Sequence, residues 1–200
     1  KCRSGTHATE NHNLFDSVRG VNKFAITNGT TAANSTDTNS LTAFNSDGFS
    51  LGTRTDVNGS GAYVGWQWKE SATAGFDIVS FTGNSSDGAT TQDISHSLSA
   101  VPHWIIVKNG ADSTNWAVYH KANTSSPETE VIYLNLTNAT ADDNAFFGDT
   151  APTSSQFRVG GDNSVNGNSD SMIAYLWSEK QGFSKFGSYT GNGNANGPFV

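Results

Sequence analysis

Residues 57–84 read V-N-G-S-G-A-Y-V-G-W-Q-W-K-E-S-A-T-A-G-F-D-I-V-S-F-T-G-N, and residues 165–192 repeat this pattern as V-N-G-N-S-D-S-M-I-A-Y-L-W-S-E-K-Q-G-F-S-K-F-G-S-Y-T-G-N. Four anchors recur in the same order: Val-Asn-Gly, a tryptophan, Gly-Phe and Thr-Gly-Asn. Their first residues recur with nearly constant spacing: Val57 as Val165, Trp68 as Trp177, Gly75 as Gly182 and Thr82 as Thr190. Four anchors that stay in register indicate a duplicated module.

The period extends on both sides of this stretch. F-S-L-G at 49–52 corresponds to F-R-V-G at 157–160, and the opening residues 1–4 correspond to 108–111. A period of about 108 residues is the size of a small independent domain and exceeds the usual period of solenoid units more than twofold. We therefore predict two related domains in tandem, residues 1–84 and residues 85–200, with their boundary between residues 84 and 108.

Composition and pattern predict an all-β fold. Charged residues make up 14% of the chain and aromatic residues 11%, while short apolar runs are separated by Gly and Asn turn signals. Four consecutive apolar residues, Trp104–Val107, predict a strand buried on both faces, and residues 62–68 predict a strand with alternating faces. We expect each copy to be an antiparallel β-sandwich of the jelly-roll or lectin-like kind.

Charge and hydropathy exclude several partners. The net charge of −7 disfavours a polyanion, so no nucleic-acid partner is expected. No apolar run approaches the roughly 20 residues that span a bilayer, so no membrane partner is expected. Cys2 is the only cysteine, which rules out an intrachain disulfide and a thiol-rich metal site.

The chain starts within a period and has no initiator Met, so it is interpreted as an excised piece of a longer protein. It stops before any counterpart of residues 94–107. We therefore expect the second copy to lack its buried strand, which a neighbouring chain or a downstream segment would supply by strand addition.

Two stretches are candidate metal sites. Asp162, Asn166 and Asp170 place oxygen ligands around a Gly where a calcium loop turns, but Ile173 stands where such a loop has its bidentate Glu. A hairpin loop is the favoured interpretation, with calcium as the alternative cofactor. The spacing of His7, Glu10 and His12 fits no zinc pattern, and a surface loop is favoured there.

Candidate catalytic residues are few. Asp142 and Asp143 with Asp149 could form a carboxylate pair for glycoside cleavage, but an exposed acidic turn is the favoured interpretation. No nucleophile elbow or phosphate-binding loop is present. His96 and His103 flank a turn, where a structural hydrogen bond is favoured over a ligand contact. We predict that the chain is not an enzyme.

The five tryptophans could stack on sugar rings, although core packing is favoured for most of them. Trp66 and Trp116 are the exceptions, because they correspond to Tyr175 and His12 and so lie where the module varies. The predicted ligand-binding residues are therefore Trp66 and Trp116, and His103 is added as the histidine that could contact a ligand although a structural role is favoured for it.

Several motifs resemble a repeat found in virion proteins of marine tailed bacteriophages. They are F-D-S-V-R-G (15–20), S-L-T-A-F-N-S-D-G-F-S-L-G (40–52), V-N-G-S-G-A-Y-V-G-W-Q-W-K (57–69) and F-S-K-F-G-S-Y-T-G-N-G-N-A-N-G-P-F-V (183–200). The stretch I-S-H-S-L-S-A-V-P-H-W-I-I-V-K (94–108) is similar to an H-G-L-G-x-x-P-x-x-I-I-V-K segment of phage fibre modules. Ser97 and Ser99 stand where that segment has glycines.

The resemblance implies a structural component of a tail fibre or surface appendage, located at the extracellular virion surface. Its expected partners are other virion proteins or copies of itself in a homo-oligomer. One alternative is a lectin-like module that binds host surface glycan. A polysaccharide-degrading enzyme is a further alternative, which would need two carboxylates roughly 5–10 Å apart.

Overall fold

The computed structural model describes residues 1–5 and 10–199 of the chain. Its strands are β1 (Cys2–Gly5), β2 (Asn13–Leu14), β3 (Lys23–Ile26), β4 (Ser35–Thr36), β5 (Leu41–Phe44), β6 (Phe49–Leu51), β7 (Gly61–Tyr63), β8 (Phe76–Thr82), β9 (Gln92–Ser95), β10 (Trp104–Asn109), β11 (Ala117–His120), β12 (Glu130–Tyr133), β13 (Ala141–Asp142), β14 (Gln156–Val159) and β15 (Ser171–Trp177). One-turn helices lie among them as α1 (Thr55–Asn58), α2 (Asn144–Phe147) and α3 (Asn163–Asn166). The pairs that these strands form are antiparallel, which confirms the all-β prediction.

The largest sheet has six strands in the order β13-β12-β11-β10-β15-β8. β8 ends before residue 84, yet it pairs with β15 along its whole length, from Phe76 opposite Trp177 to Thr82 opposite Ser171. The sheet therefore includes a strand from the first predicted domain. β10 lies between β11 and β15, so the expectation that the second copy lacks its buried strand is wrong. That strand comes from the residues just before Lys108, within the same chain.

The centre of this sheet is buried on both faces, as predicted for the run that forms β10. Ile105 and Val107 belong to one apolar cluster and Ile106 to the other, and all three are at most 5% exposed. Successive side chains of a strand point to opposite faces, so a strand covered on both sides needs an unbroken apolar run.

The first face of the sheet packs against β9 and β14, which form a two-stranded sheet, and against the short helices. Buried side chains from these elements meet the sheet: Ile94, Leu98, Phe146, Phe147, Phe157, Val159 and Val165. Asp143 and Asp162 cap the N-termini of α2 and α3, and the side chain of each accepts a hydrogen bond from a backbone N–H in the first turn. The result is a β-sandwich-like layer.

The second face packs against the N-terminal part of the chain. Leu14 from β2, Ala25 from β3 and Ala33 contact the buried side chains of this face. Trp116 lies at the centre of the contact, is 0% exposed, and donates from Nε1 to the carbonyl of Ile26 at 2.9 Å. Residues far apart in the sequence thus form one apolar layer.

A buried ionic group lies in the same layer. Asp16 accepts hydrogen bonds from Arg19 Nε and, at 2.7 Å, from the hydroxyl of Tyr175. Arg19 also donates to the carbonyls of Ala33 and Leu14. The side chains of Arg19 and Asp16 are only 4% and 2% exposed. Burial is the main cause that raises the pKa of Tyr175. The hydroxyl therefore stays protonated at neutral pH and donates its hydrogen bond to Asp16.

Ser99 occupies a left-handed backbone conformation, with φ at 53°, directly after the buried Leu98. It stands where the similar phage segment has Gly, which adopts this conformation without a steric penalty. We expect Ser99→Gly to raise the free energy of unfolding by about 0.5–1 kcal/mol, because relief of this strain exceeds the entropy that Gly adds to the unfolded chain. Urea unfolding measures the change.

Ser97→Gly is the matched control, because Ser97 has no positive φ and donates its backbone N–H to Asp77 at 2.6 Å. It should lower the free energy of unfolding by about 0.5–1 kcal/mol through the flexibility of Gly in the unfolded chain. Equal effects of both changes would show that the backbone at Ser99 is not strained.

Candidate functional site

Aromatic side chains gather at the end of the six-stranded sheet where β8 and β10 begin and β15 ends. The strand register places Trp177 opposite both Trp104 and Phe76. The Trp104 and Trp177 rings stack with their centroids 4.5 Å apart, and Phe76 stacks on Trp177 at 4.8 Å. Offset stacking at these distances contributes beyond simple burial of area.

Two further rings extend this group. Trp68 meets Trp177 edge-on at 6.4 Å, and Phe186 lies 6.1 Å from Trp104. We call Trp68, Phe76, Trp104, Trp177 and Phe186 the aromatic cluster. Trp68 is 55% exposed, so the cluster opens to solvent on this side.

Phe186 is held in place by two histidines and a carboxylate. Its ring stacks on His103 at 6.4 Å and meets His120 edge-on at 6.3 Å. Its backbone N–H donates to Glu179 Oε1 at 3.1 Å. Glu179 thereby fixes the segment that follows β15 across the end of the sheet.

His103 and Glu179 also contact each other. His103 Nδ1 accepts a hydrogen bond from the Glu179 backbone N–H at 3.1 Å, and its Nε2 lies 3.8 Å from Glu179 Oε2. Burial lowers the pKa of His103, and the positive charge of Lys121 adds to the lowering. The hydrogen bond from Phe186 lowers the pKa of Glu179. At neutral pH the site therefore holds a neutral imidazole beside an ionised carboxylate.

Acidification is expected to loosen this end of the sheet. A pKa that is lower in the folded state means that the unfolded chain binds the proton more readily, so the stability contributed by His103 is lost as the pH falls below 6.5. Protonated Nδ1 can no longer accept from the Glu179 N–H. We expect amide exchange at Glu179 and Phe186, corrected for the intrinsic rate, to accelerate between pH 7.5 and pH 5.

Two variants show which histidine causes this acceleration of amide exchange. His103→Asn keeps a hydrogen-bond acceptor near the position of Nδ1 but does not titrate, so it should abolish the acceleration. The pKa of His120 is also lowered, mainly by burial, and His120→Asn should leave the acceleration in place. The opposite pattern would assign the pH response to His120 instead.

The family of the chain follows from a comparison with known protein families. Residues 2–200 match the model of the family described as a domain of unknown function, DUF7483. The chain belongs to the DUF7483 family. The match includes every member of the aromatic cluster. No curated protein and no solved structure matches the chain.

The predicted ligand residues of this DUF7483 chain lie in different places. Trp66 is 73% exposed and is separated by one residue from Trp68 of the aromatic cluster. His103 is half-buried at the edge of the cluster, where it makes a structural hydrogen bond. Trp116 lies in the interior, because the N-terminal segment that carries Ile26 covers it. The prediction of Trp116 as a ligand contact therefore does not fit its position.

The candidate calcium residues form hydrogen bonds within the protein. Asp162 Oδ1 accepts from the Ser164 N–H at 2.7 Å, and Asp170 Oδ2 accepts from Asn109 Nδ2 at 2.7 Å. The fully buried Asn166 donates from its amide to three acceptors: Asn84 Oδ1, Thr90 O and Gly160 O. Within residues 1–5 and 10–199, no three His, Cys, Asp or Glu side chains are grouped so that they could hold a metal ion.

The remaining candidates have local structural roles. Asp143 Oδ1 accepts from the Ala145 N–H at 3.0 Å, and Asp142 and Asp143 are both exposed. His96 Nε2 lies 3.2 Å from the carbonyl of Thr153. His7 lies outside the described residues. In the described part of the chain, no helix is long and apolar enough to cross a bilayer.

Two surface depressions lie away from the cluster. One of about 280 Å³ lies beside Tyr133 and Asp162, and another of about 200 Å³ lies beside Gly88 and Asn144. Pockets for drug-sized molecules usually measure about 300–1,000 Å³. Trp68 is the exposed member of the aromatic cluster, and its indole ring suits contact with a sugar ring or an extended peptide strand.

Sequence reasoning did not find Glu179 or Phe186. Glu179 contacts His103, 76 residues earlier, and no local pattern links them. Trp68 and Trp177 are the paired tryptophan anchors of the repeated sequence pattern, but core packing was the favoured interpretation for both.

Proposed function

We propose that this DUF7483 chain is a non-enzymatic structural module of a bacteriophage virion, in a tail fibre or another surface appendage. In this proposal it consists of two related β units. The second unit spans residues 76–177 and contains the six-stranded sheet, and the first unit spans residues 1–68 and packs against it through residues 14–33.

The main support is that strand pairs recur at nearly the spacing of the duplication. Leu14 pairs with Ala25 between β2 and β3, and Val118 pairs with Ile132 between β11 and β12. The next strand follows the same rule: Phe24 pairs with Ser35 and Val131 with Ala141. Each residue of the later pairs thus lies close to one repeat period after its match in the earlier pairs.

A third pair supports the same equivalence. Cys2 lies opposite Tyr63 between β1 and β7, and Asn109 lies opposite Met172 between β10 and β15. α1 at 55–58 also lies one repeat period before α3 at 163–166. Since register is set by both members of a pair, these matches favour two copies of one architecture over a chance similarity of sequence.

The proposed mechanism is mechanical and multivalent. Rigid sheets would present exposed loops to other virion proteins or to other copies of the chain. Many weak contacts on one particle add up through their effective concentration. The resemblance of residues 15–20, 40–52, 57–69 and 183–200 to marine phage virion repeats supports this setting.

Immunogold electron microscopy of the phage particles that encode the chain tests the proposal. An antibody raised against the 200-residue protein should label a tail fibre or appendage, and preincubation with the purified protein should remove the label. Particles that carry no label while the host lysate contains the free protein would overturn the virion assignment.

A second candidate function is binding of host surface glycan. Trp66 and Trp68 support it, because they are 73% and 55% exposed and are separated by a single residue. A glycan array, read with and without calcium, should then show saturable binding that Trp66→Ala abolishes. Tyr189→Ala is the control at another exposed ring, which is 68% exposed. Absence of binding to every glycan would eliminate this candidate.

A further inference from the structure

Two exposed segments of the chain correspond to two strands that pair inside the sheet. By the duplication, residues 62–68 correspond to β15 and residues 183–190 correspond to β8. β15 and β8 pair throughout, from Ser171 to Trp177. Their counterparts at 62–68 and 183–190 are not paired with each other, although both are fully described.

The residues of β15 and β8 and their counterparts at 62–68 and 183–190 differ in solvent exposure. Tyr175 in β15 is 3% exposed, whereas its counterpart Trp66 is 73% exposed. Phe76 in β8 is 7% exposed, whereas its counterpart Phe183 is 77% exposed. Regular pairing ends at Tyr63 in β7, and between 183 and 190 only Ser184 makes an isolated bridge, to Lys180. Grouped exposed aromatic side chains mark an interaction surface.

We propose that residues 183–190 of one chain pair with residues 62–68 of a second copy, antiparallel and in the register of β8 with β15. This inference depends on the duplicated architecture argued under Proposed function. Each chain then uses its residues 62–68 to bind one neighbouring copy and its residues 183–190 to bind another. Because the two surfaces differ, the contact is head-to-tail and can continue from chain to chain.

The side chains that this register brings together are chemically matched. Phe183 would lie opposite Trp68, as Phe76 lies opposite Trp177. Lys185 would lie opposite Trp66, where an ammonium can contact the face of an indole ring. Ser184 would lie opposite Gln67, which can exchange a hydrogen bond across the strands. Neither segment places two like charges opposite each other.

Both segments also have backbone N–H and C=O groups that are available for strand pairing. The β7 pairing extends to Val64, which exchanges hydrogen bonds with Lys1, and among the described residues no strand partner continues it along residues 65–69. Residues 186–190 likewise form no strand. Apart from the Phe186 N–H, which already donates to Glu179 Oε1, addition of one extended segment to the other would pair these N–H and C=O groups in the same way as peptide addition at a sheet edge. The aromatic cluster would become covered on its exposed side, next to Trp68.

Sedimentation velocity of the purified 200-residue protein over a range of concentrations tests the pairing. The wild-type protein should form head-to-tail oligomers, and Phe183→Asp should raise the apparent dissociation constant at least tenfold. The fold should survive, because this side chain is exposed. Phe199→Asp is the matched control, since Phe199 is also an exposed phenylalanine but lies outside the segment.

Each outcome decides a different question. A monomer at all concentrations, or equal weakening by Phe183→Asp and Phe199→Asp, would overturn the pairing. Immunogold label on particles together with a monomeric protein would overturn the pairing alone. Specific oligomers without any label on particles would support the pairing and overturn the virion assignment. Glycan binding by a monomer that depends on Trp66 would assign the exposed ring to a sugar instead.

Discussion

Replacement of Trp116 by alanine is expected to lower the free energy of unfolding by about 3–5 kcal/mol. The Trp116 ring is fully buried between the six-stranded sheet and residues 14–33, where it stacks near Tyr175 at 6.5 Å. Its removal leaves a cavity there. It also removes the indole hydrogen bond to the Ile26 carbonyl, which keeps only the longer one from the Gly29 N–H at 3.4 Å.

Urea unfolding followed by far-ultraviolet circular dichroism measures this loss without depending on tryptophan fluorescence. Trp66→Ala is the matched control, because it removes the same side chain from a position that is 73% exposed. Its effect should stay within about 0.5 kcal/mol. A small effect of Trp116→Ala would contradict the packing of the N-terminal segment on the sheet.

Asp16→Asn is expected to lower the free energy of unfolding by about 3–5 kcal/mol, because it leaves the buried Arg19 guanidinium without its counter-charge. Asp93→Asn is the matched control. Asp93 pairs with Arg158 at 2.7 Å, but that pair is substantially exposed, so its loss should cost less than about 1 kcal/mol. Chemical unfolding at neutral pH measures both changes.

A double-mutant cycle shows whether Asp16 also connects the two proposed units. Asp16 and Tyr175 are 159 residues apart in sequence and share a buried hydrogen bond. Asp16→Asn combined with Tyr175→Phe should be less destabilising than the sum of the single changes, with a coupling of about 0.5–3 kcal/mol. Strict additivity would show that the two side chains do not interact in solution.

Local sequence patterns predicted the strands well where a strand is buried on both faces. The apolar run at 104–107 forms the first four residues of β10, and the Asp-Gly signal at 47–48 lies in the turn between β5 and β6. Such patterns report the immediate environment of a segment. They do not report which distant segment covers it, so the burial of Trp116 could not be predicted.

The sequence contains a repeated pattern, but it does not show where the packed unit begins and ends. β8 precedes the predicted boundary and still belongs to the six-stranded sheet, because its partner β15 is supplied from much later in the chain. The period of a repeat is the same whichever residue is taken as the start of the unit, so the period alone does not show where a unit begins. Only the strand pairing makes that choice.

Of the predicted ligand residues, His103 lies at the edge of the candidate site and Trp66 is separated by one residue from Trp68, whereas core packing was favoured for Trp68 and Trp177. Trp68 and Trp177 are anchors of the repeat and both contribute to the aromatic cluster. Glu179 and Phe186 carry no sequence signal, since their role depends on His103 and on the fold of the segment after β15. The duplication also indicates that residues 62–68, exposed in this chain, have a buried counterpart in β15.

Site-directed disulfide formation tests most directly whether one unit receives a strand from the next. Two proteins in which Cys2→Ser is combined with Gln67→Cys or with Ser184→Cys are mixed under mild oxidation. The proposed register makes these positions direct cross-strand neighbours, within disulfide reach. Asp47→Cys, in an exposed turn, replaces Ser184→Cys in the control mixture. A heterodimer whose linked peptides contain positions 67 and 184, far above the control yield, is the predicted result. A yield no higher than that of the control would contradict head-to-tail assembly through these strands.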